Sequence, residues 1–298
     1  MKREFKYTVT KEDHEQELSV RELLRRRFSF SSRLRTKIKK NKTVYLNGDQ
    51  TPVWIAPKTG DEITVCIPEE TSWFPPEDIP IDPVYEDEDL LIINKQAGYT
   101  VHPTNGRPDH TIANGVAQYM LDTHQSFKIR FINRLDMDTS GILALGKNSH
   151  AQDDFVKQSK RDNVHKGYIA VVDGIIDEEE GTVDAPLGRP VNEPVKRGVV
   201  EGGRPSVTHY KVVERFDPGY TLVRLKLETG RTHQIRVHMA FIGHPVVGDR
   251  LYGKQSDFIS RQALHAEKLS FDHPVTKKHL DLEAPLPDDM IQLIRHLK

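Results

Sequence analysis

The chain has 298 residues, 36% of them hydrophobic and 29% charged, with a formal net charge of −1 at pH 7. This length allows one large domain plus a small one, and the composition supports a sizeable core. The single cysteine, Cys66, excludes an internal disulfide, and no stretch approaches the ~20 apolar residues of a membrane span. We therefore expect a soluble, cytoplasmic protein that acts as a monomer.

Positive charge is concentrated near the N-terminus. Residues 18–42 contain ten Lys and Arg, whereas residues 77–89 contain seven acids and neither Lys nor Arg. At the start of the acidic run, the segment SWFPPEDIPIDP (72–83) is rich in proline and lacks helical periodicity, which is typical of a linker. The sequence therefore predicts a small domain (1–75), a linker (76–83) and a larger domain (84–298).

The basic segment has a pattern as well as a charge. SVRELLRRRF and SSRLRTKIKKN each place apolar residues on one helical face, and the strand-like runs VYLNG and GDEITVCIP follow. The second helix directs four cations outward: Arg33, Arg35, Lys37 and Lys40. Two basic helices followed by short strands resemble the S4-type RNA-binding domain, through the residues SSRLRTKIKKNKTVYLNG and PKTGDEITVCIP. The resemblance implies cations that bind RNA phosphates, and the alternative is a solvated basic face without a ligand.

The larger domain alternates strand-like runs with few helices. LLIINK, GYIAVVDGII, SVTHYKVVERF and YTLVRLKLETG are apolar and rich in β-branched residues, whereas HTIANGVAQYML has helical spacing. The strand-like runs are too many and too consecutive for a repeated βαβ unit. We predict an α+β fold with a mostly antiparallel mixed sheet flanked by helices and loops. The fourteen histidines show no spacing typical of metal ligands, so we predict no metal site.

The segment INRLDMDTSGI carries an arginine and two aspartates close together. If the preceding KIRFI continues as a strand, Arg134 and Asp136 project to the same side. A guanidinium nearby favours the ionised carboxylate, which suits a nucleophile or a base. DTSG has the composition of a turn, in which Asp138 would cap backbone N–H groups. The residues alone leave a structural Arg–Asp pair equally open.

DMDTS also looks like the DxDxT pattern of haloacid-dehalogenase-type phosphatases, although serine stands at the position of the threonine. That chemistry requires an uninterrupted apolar strand before the first aspartate and a later acidic pair that holds Mg²⁺. Here Asn133 and Arg134 interrupt the strand, and the later pair Asp288–Asp289 follows a proline near the C-terminus. The pattern therefore argues against a phosphatase.

A longer similarity covers residues 84–298. RLDMDTSGILALGKN resembles the signature of the RluA-type RNA pseudouridine synthases, and HKGYIAVVDG resembles the family segment that bears a tyrosine. DAPLGRP, GGRPSVTHY, LETGRTHQIRVHMAFIGHPVVGDRLYG and QALHAEKLSFDHP follow in the family's order. The resemblance implies an isomerase that converts uridine in structured RNA, ribosomal or transfer RNA, to pseudouridine without a cofactor.

The resemblance also implies roles for individual residues. Asp136 would be the essential aspartate, Arg231 would pair with it, and Tyr168 would stack on the uracil and help to remove the C5 proton. Leu264 would pack against the base, and Arg134 would help to hold the uridine outside its RNA stack. The signature usually begins with histidine where this chain has an asparagine, which we expect to affect the flanking RNA rather than to abolish activity. The remaining alternative is a catalytically silent RNA-binding or assembly protein that retains the fold.

Overall fold

A computed structural model of the protein describes residues 3–67, 70–104, 106–191, 193 and 196–298. The fold is α+β with a large, mostly antiparallel sheet, as the sequence predicted. None of the helices in the described ranges has the length and hydropathy needed to cross a membrane.

The N-terminal part combines a small sheet with three helices. The four strands are β1 (Arg3–Thr8), β2 (Val44–Leu46), β3 (Asp49–Gln50) and β4 (Glu62–Ile67), in the order β1-β4-β2-β3. The helices are α1 (Lys11–Glu15), α2 (Val20–Arg26) and α3 (Ser32–Asn41). The predicted apolar faces of α2 and α3 are buried in a hydrophobic cluster of their own. Ser31 is the N-cap of α3, since its hydroxyl accepts a hydrogen bond from the Leu34 N–H at 3.3 Å.

The rest of the chain is built around a nine-stranded sheet. Its strands and those of a two-stranded ribbon are β5 (Pro83–Glu86), β6 (Leu90–Lys95), β7 (Ser140–Gly146), β8 (His165–Asp173), β9 (Glu180–Asp184), β10 (Leu187–Gly188), β11 (Gly198–Val199), β12 (Val207–Phe216), β13 (Tyr220–Leu227), β14 (Leu264–Asp272) and β15 (His279–Glu283). β10 and β11 form the ribbon, and the others follow the order β5-β6-β7-β14-β8-β13-β12-β9, with β15 on β14. Among the pairings within this sheet, that of β7 with β14 is parallel and the rest are antiparallel.

Four helices accompany this sheet: α4 (Ile112–Asp122), α5 (Ser149–Ser159), α6 (Gln234–Phe241) and α7 (Asp288–Leu297). The helical spacing of HTIANGVAQYML is confirmed by α4, where Ile112 and Val116 are fully buried. Residues from α4, α6, α7 and the central strands share one core. A second core lies on the other side of β6, β7 and β14.

The close approach of β7 to β14 depends on Gly141. This glycine has φ +107°, and a Cβ built on it would lie 2.2 Å from the carbonyl oxygen of Ala266. Any larger residue would therefore clash with β14 in addition to adopting a strained backbone. The glycine of DTSG thus fixes where the loop before β7 meets the start of β14.

The proline-rich segment between the two parts lies against α4. Residues 70–82 contain no helix or strand, but Ile79 is buried and the Glu77 N–H donates to the carbonyl of Asn114 at 3.3 Å. A Cβ on Gly115 would lie 2.9 Å from Ile79, so the helix needs glycine at this contact. The segment lacks regular structure, and its packing against α4 fixes its path.

Candidate active site

A cleft of about 880 Å³ opens where four parts of the chain meet. It is lined by the loops 100–104 and 131–137, the end of α5 and the start of β8, and the loop 230–233. An adjoining pocket of about 50 Å³ is lined by the five residues that the sequence comparison with the synthases singled out: Arg134, Asp136, Tyr168, Arg231 and Leu264. The fold therefore brings all five to one place.

The chain that leads to Asp136 is not the strand that its alternation predicted. Residues 126–136 form a single isolated bridge to β7. The Asn133 side chain replaces regular pairing: its amide donates to the carbonyl of Ile142 at 3.1 Å and accepts from the N–H of Ala144 at 2.7 Å. The asparagine at the position of the family's usual histidine thus attaches this loop to β7, and Asp136 turns into the cleft.

A buried lysine holds the loop after Asp136. The ammonium of Lys95 donates to the carbonyls of Met137 at 2.8 Å, Thr139 at 2.9 Å and Gln96 at 2.9 Å. Burial lowers the pKa of Lys95 to about 7, although the nearby Asp138 raises it. Three carbonyls therefore supply the partners that a buried ammonium requires.

Arg261 holds the same loop from the side of β14. Its Nη1 donates to the carbonyl of Asp138 at 3.0 Å, and its other edge binds Asp289 at 2.6 and 2.8 Å. The Asp138 carboxylate makes no hydrogen bond with any described residue and does not line the cleft, so the predicted capping of backbone N–H groups is not observed. Between Asp136 and Asp138, only the former is presented to the cleft.

The guanidinium that pairs with Asp136 belongs to Arg236, not to the predicted Arg231. Arg236 Nη1 lies 3.1 Å from Oδ2 of Asp136, whereas the Arg231 Nε donates to the carbonyl of Pro205 at 3.4 Å. The physical reason is that Arg231 lies in the loop before α6. Arg236 lies within that helix, from which its side chain reaches the buried floor of the cleft.

A second carboxylate orients Arg236. Asp249 is fully buried and accepts two hydrogen bonds from Arg236, from Nε at 2.6 Å and from Nη2 at 2.8 Å. Burial by itself lowers the pKa of Arg236, but the two carboxylates outweigh burial and raise it, so the guanidinium stays charged. The ring of Tyr252 lies below the guanidinium, with 5.1 Å from its centroid to Cζ.

His233 stands beside the same carboxylate. Its Nε2 lies 3.8 Å from Oδ2 of Asp136, and its Nδ1 lies 2.8 Å from the hydroxyl oxygen of Tyr252. Burial lowers the pKa of His233, with Asp136 acting in the opposite direction. The residue adopts φ +58° at the N-cap of α6, a strained conformation for a non-glycine residue, and such strain is frequent at functional sites.

Tyr168 and Leu264 lie on one face of the sheet. In the register of β8 and β14, Leu264 is opposite Ala170, two residues beyond Tyr168, so the two side chains project to the same side. Both are buried, and burial followed by the charge of Asp136 raises the pKa of the Tyr168 hydroxyl. The phenol therefore stays protonated at neutral pH beside the carboxylate.

The basic helix α3 lies close to this cleft. A cavity of about 370 Å³ is lined by Arg33 and Lys37 of α3 and by His102 and Phe131, which also line the cleft. Arg33 and Lys40 are exposed. Arg35 donates to the carbonyl of Phe30 at 3.3 Å, and Lys37 is paired with Glu70, so these two cations are partly engaged within the protein.

One group of described residues has the composition of a metal site, outside the cleft. Asp87, Asp89 and His273 bring ligand atoms within 4.8 Å of one another. Protein groups already occupy these carboxylates: Arg3 binds Asp89 at 2.8 and 3.0 Å, and His273 lies 2.8 Å from Asp87. The group joins β1 to the larger sheet and has the contacts of a structural ion-pair network.

Arg236 and Asp249 are the site residues that sequence reasoning missed. Both carried a signal, because each is charged and lies beside apolar residues, in IRV and in VVGD. A charged residue at a buried position needs a partner of opposite sign, and these two supply one another. Lys95 in LLIINK follows the same rule, with carbonyls as its partners.

Comparisons with known proteins match this chain to RNA pseudouridine synthases. The sequence profile described as RNA pseudouridylate synthase matches residues 89–241. The chain is 42% identical over 265 residues to an uncharacterized RNA pseudouridine synthase of Bacillus subtilis, YlyB, covering 87% of each chain. It is 38% identical to ribosomal large subunit pseudouridine synthase D of Vibrio parahaemolyticus, covering 86% of this chain and 83% of that one. The solved structure of human RNA pseudouridylate synthase domain containing 1 is similar with a TM-score of 0.59 and 28% identity, covering 76% of this chain and 97% of that one.

Proposed function

Because the chain belongs to the RNA pseudouridylate synthase family, whose members are isomerases that convert uridine in RNA to pseudouridine, we propose that Asp136 performs this conversion here. One observation supports the proposal above the others. Among the described residues that line the cleft, Asp136 is the one acid, and a buried guanidinium holds its carboxylate. The charge-assisted hydrogen bond fixes the direction of a carboxylate that would face a bound ribose.

The reaction detaches uracil from C1′ and rejoins it through C5. In one route the Asp136 carboxylate bonds to C1′ as the C1′–N1 bond breaks, and it leaves again when C5 bonds to C1′. In the other route it removes the 2′ proton as the C1′–N1 bond breaks, which gives a glycal, and it returns that proton when C5 bonds to C1′. In both routes C5 then loses its proton and N1 gains one. Both routes require a charged carboxylate at a fixed place next to the sugar. Arg236 orients the carboxylate through its hydrogen bond, and the hydrogen bonds from Lys95 and Arg261 hold the loop that positions it. The proposed chemistry uses neither a metal nor a cofactor.

Tyr168 and Leu264 are placed to hold the uracil. Their side chains project to the same side of the sheet next to Asp136, so the base would stack on the ring of Tyr168 and pack against Leu264. The raised pKa of Tyr168 favours a neutral ring that stacks, and it disfavours a phenolate that would take the C5 proton at neutral pH. Arg134 is exposed at the edge of the pocket, where it would help to hold a uridine that has left its stack.

The N-terminal part, residues 1–75, is proposed to be an S4-like domain that binds RNA. Arg33 and Lys40 are exposed on α3, and the cavity beside Arg33 shares His102 and Phe131 with the cleft. An RNA strand that leaves the cleft can therefore reach α3 directly. Its phosphates would gain affinity there without sequence selection.

Large-subunit ribosomal RNA is the proposed substrate. The name of the Vibrio parahaemolyticus relative states that RNA class, and this chain covers most of that protein's length. The test is pseudouridine mapping of total RNA from cells with and without the gene, followed by complementation with the wild type or with Asp136→Asn. We expect a site in large-subunit rRNA that disappears with the gene and returns only with the wild type. A silent RNA-binding protein would leave the map unchanged.

A further inference from the structure

We propose that Lys166 forms a phosphate-binding subsite for the RNA backbone beside the target nucleotide, an inference that rests on the proposed function. Lys166 lines the cleft in a half-buried position. Its ammonium makes no hydrogen bond or ion pair with any of the residues that the structure describes. The ligand that fits is a phosphodiester group of the substrate RNA, because an ammonium without a partner recognises an anion with several acceptor oxygens.

The strand register places Lys166 next to the reacting centre. It precedes Tyr168 by two residues on β8, so both side chains project from the same face of the sheet. In the ladder with β13 it lies opposite Leu227, which also lines the cleft. A Cβ built on Gly230 would lie 3.8 Å from its Nζ atom, so the ammonium lies beside the loop that carries Arg231.

The charges around the cleft favour a polyanion at this point. Four cations line it: Arg134, Lys160, Lys166 and Arg231. Asp136, the single acid among the described residues that line the cleft, is already paired with Arg236. The positive charge at the entrance is therefore not neutralised within the protein, which is the arrangement expected where a phosphate chain enters.

Three other half-buried or buried lysines have the partners that Lys166 lacks. Lys95 donates to three carbonyls, Lys147 binds Glu86 at 2.7 Å, and Lys37 is paired with Glu70. Burial lowers the pKa of Lys166 without a compensating acid. A bound phosphate would provide that missing partner. If Lys166 only packed against its neighbours, its half-buried ammonium would not stabilise the protein.

The test combines a protein change with a change in the RNA. A synthetic RNA hairpin that contains the mapped uridine is prepared with single uncharged methylphosphonate linkages, one at a time, at each position flanking that uridine. Dissociation constants are measured for the wild type, Lys166→Met and Lys166→Arg. Lys226→Met is the matched control, because it removes the same charge from an exposed position. Lys226 directly precedes Leu227 on β13, so its side chain projects from the opposite face of the sheet.

We expect Lys166→Met to weaken binding of the unmodified hairpin about tenfold and to flatten the log–log salt slope by about 0.7, with Lys166→Arg and Lys226→Met close to wild type. At one linkage, the methylphosphonate should weaken RNA binding by the wild type by about the same factor. The same methylphosphonate should not weaken RNA binding by Lys166→Met any further. Thermal melting confirms that each variant is folded. Full additivity at every linkage, or wild-type affinity in Lys166→Met, would overturn the proposal. The dissociation constants do not depend on turnover. If the wild-type protein forms no pseudouridine in the unmodified hairpin, that result would refute the proposed function and not the phosphate-binding subsite.

Discussion

Oδ2 of Asp136 lies 3.1 Å from Nη1 of Arg236, a guanidinium whose other edge is bound by the buried Asp249. The second carboxylate fixes the plane of the guanidinium, so the remaining N–H group points at Asp136 from one direction. The position of the Asp136 carboxylate therefore depends on the Arg236–Asp249 pair as well as on the loop that carries Asp136.

Replacing Arg236 with lysine keeps the charge but removes the planar fork that contacts both carboxylates. We predict that Arg236→Lys lowers turnover by at least about 10²-fold, because a single ammonium cannot hold Asp136 while it binds Asp249. RNA affinity should change far less. Arg231→Lys is the control, and its effect on turnover should be much smaller, since Arg231 does not contact Asp136. The opposite ranking in single-turnover assays would restore Arg231 as the partner.

The protonation of Lys95 links stability to pH. Burial lowers its pKa to about 7 in the folded protein, whereas the pKa of a lysine in an unfolded chain is about 10.4. Between these values the unfolded chain binds more protons than the folded one, so this contribution to the free energy of unfolding rises with pH. Below about pH 7 both states are protonated and the contribution is constant.

Lys95→Met removes this titration together with the three hydrogen bonds to the loop. We predict that, between about pH 7 and about pH 10, the free energy of unfolding of the wild type rises relative to that of Lys95→Met, by at most about 1.4 kcal/mol per pH unit. Urea denaturation over this range measures the difference. Parallel pH profiles for the two proteins would show that Lys95 is not a buried, titrating lysine.

The cations of α3 should not contribute equally to RNA binding. Arg33 and Lys40 are exposed, whereas Lys37 is paired with Glu70. If each exposed cation contacts one phosphate of single-stranded RNA, the double variant Arg33→Gln/Lys40→Gln should flatten the log–log salt slope by about 1.4. Lys37→Gln should flatten it less. Equal slopes for the wild type and the double variant, measured by fluorescence anisotropy with the full chain, would remove α3 from the RNA interface.

Much of the fold followed from patterns along the chain. The apolar faces of α2, α3 and α4 and the strands β4, β6, β8, β12 and β13 appear where periodicity predicted them. The strand expected before Asp136 is absent, because the Asn133 amide takes over the hydrogen bonds that a strand backbone would make to β7. Alternation in a short apolar run does not reveal such a side-chain substitute.

The family resemblance singled out residues that lie together in the fold, but it missed Arg236 and Asp249. Asp136, Tyr168, Arg134, Arg231 and Leu264 line one pocket, and the family resemblance had singled out all five. The partner of Asp136 was assigned wrongly because two arginines occur five residues apart in one motif, and only the turn into α6 decides which one is buried. That turn depends on φ +58° at His233, which no periodicity indicates.

The most direct test of the central claim compares the two aspartates of DMD. Asp136→Asn keeps the shape of the side chain but loses the negative charge next to Arg236, so it should fold and bind RNA yet form no pseudouridine. Asp138→Asn alters a side chain that does not line the cleft, so it should retain most activity. The measurement is tritium release from RNA that contains 5-tritiated uridine, with both variants shown to be folded by thermal melting. We predict release by Asp138→Asn and none by Asp136→Asn; an active Asp136→Asn beside an inactive but folded Asp138→Asn would contradict the account.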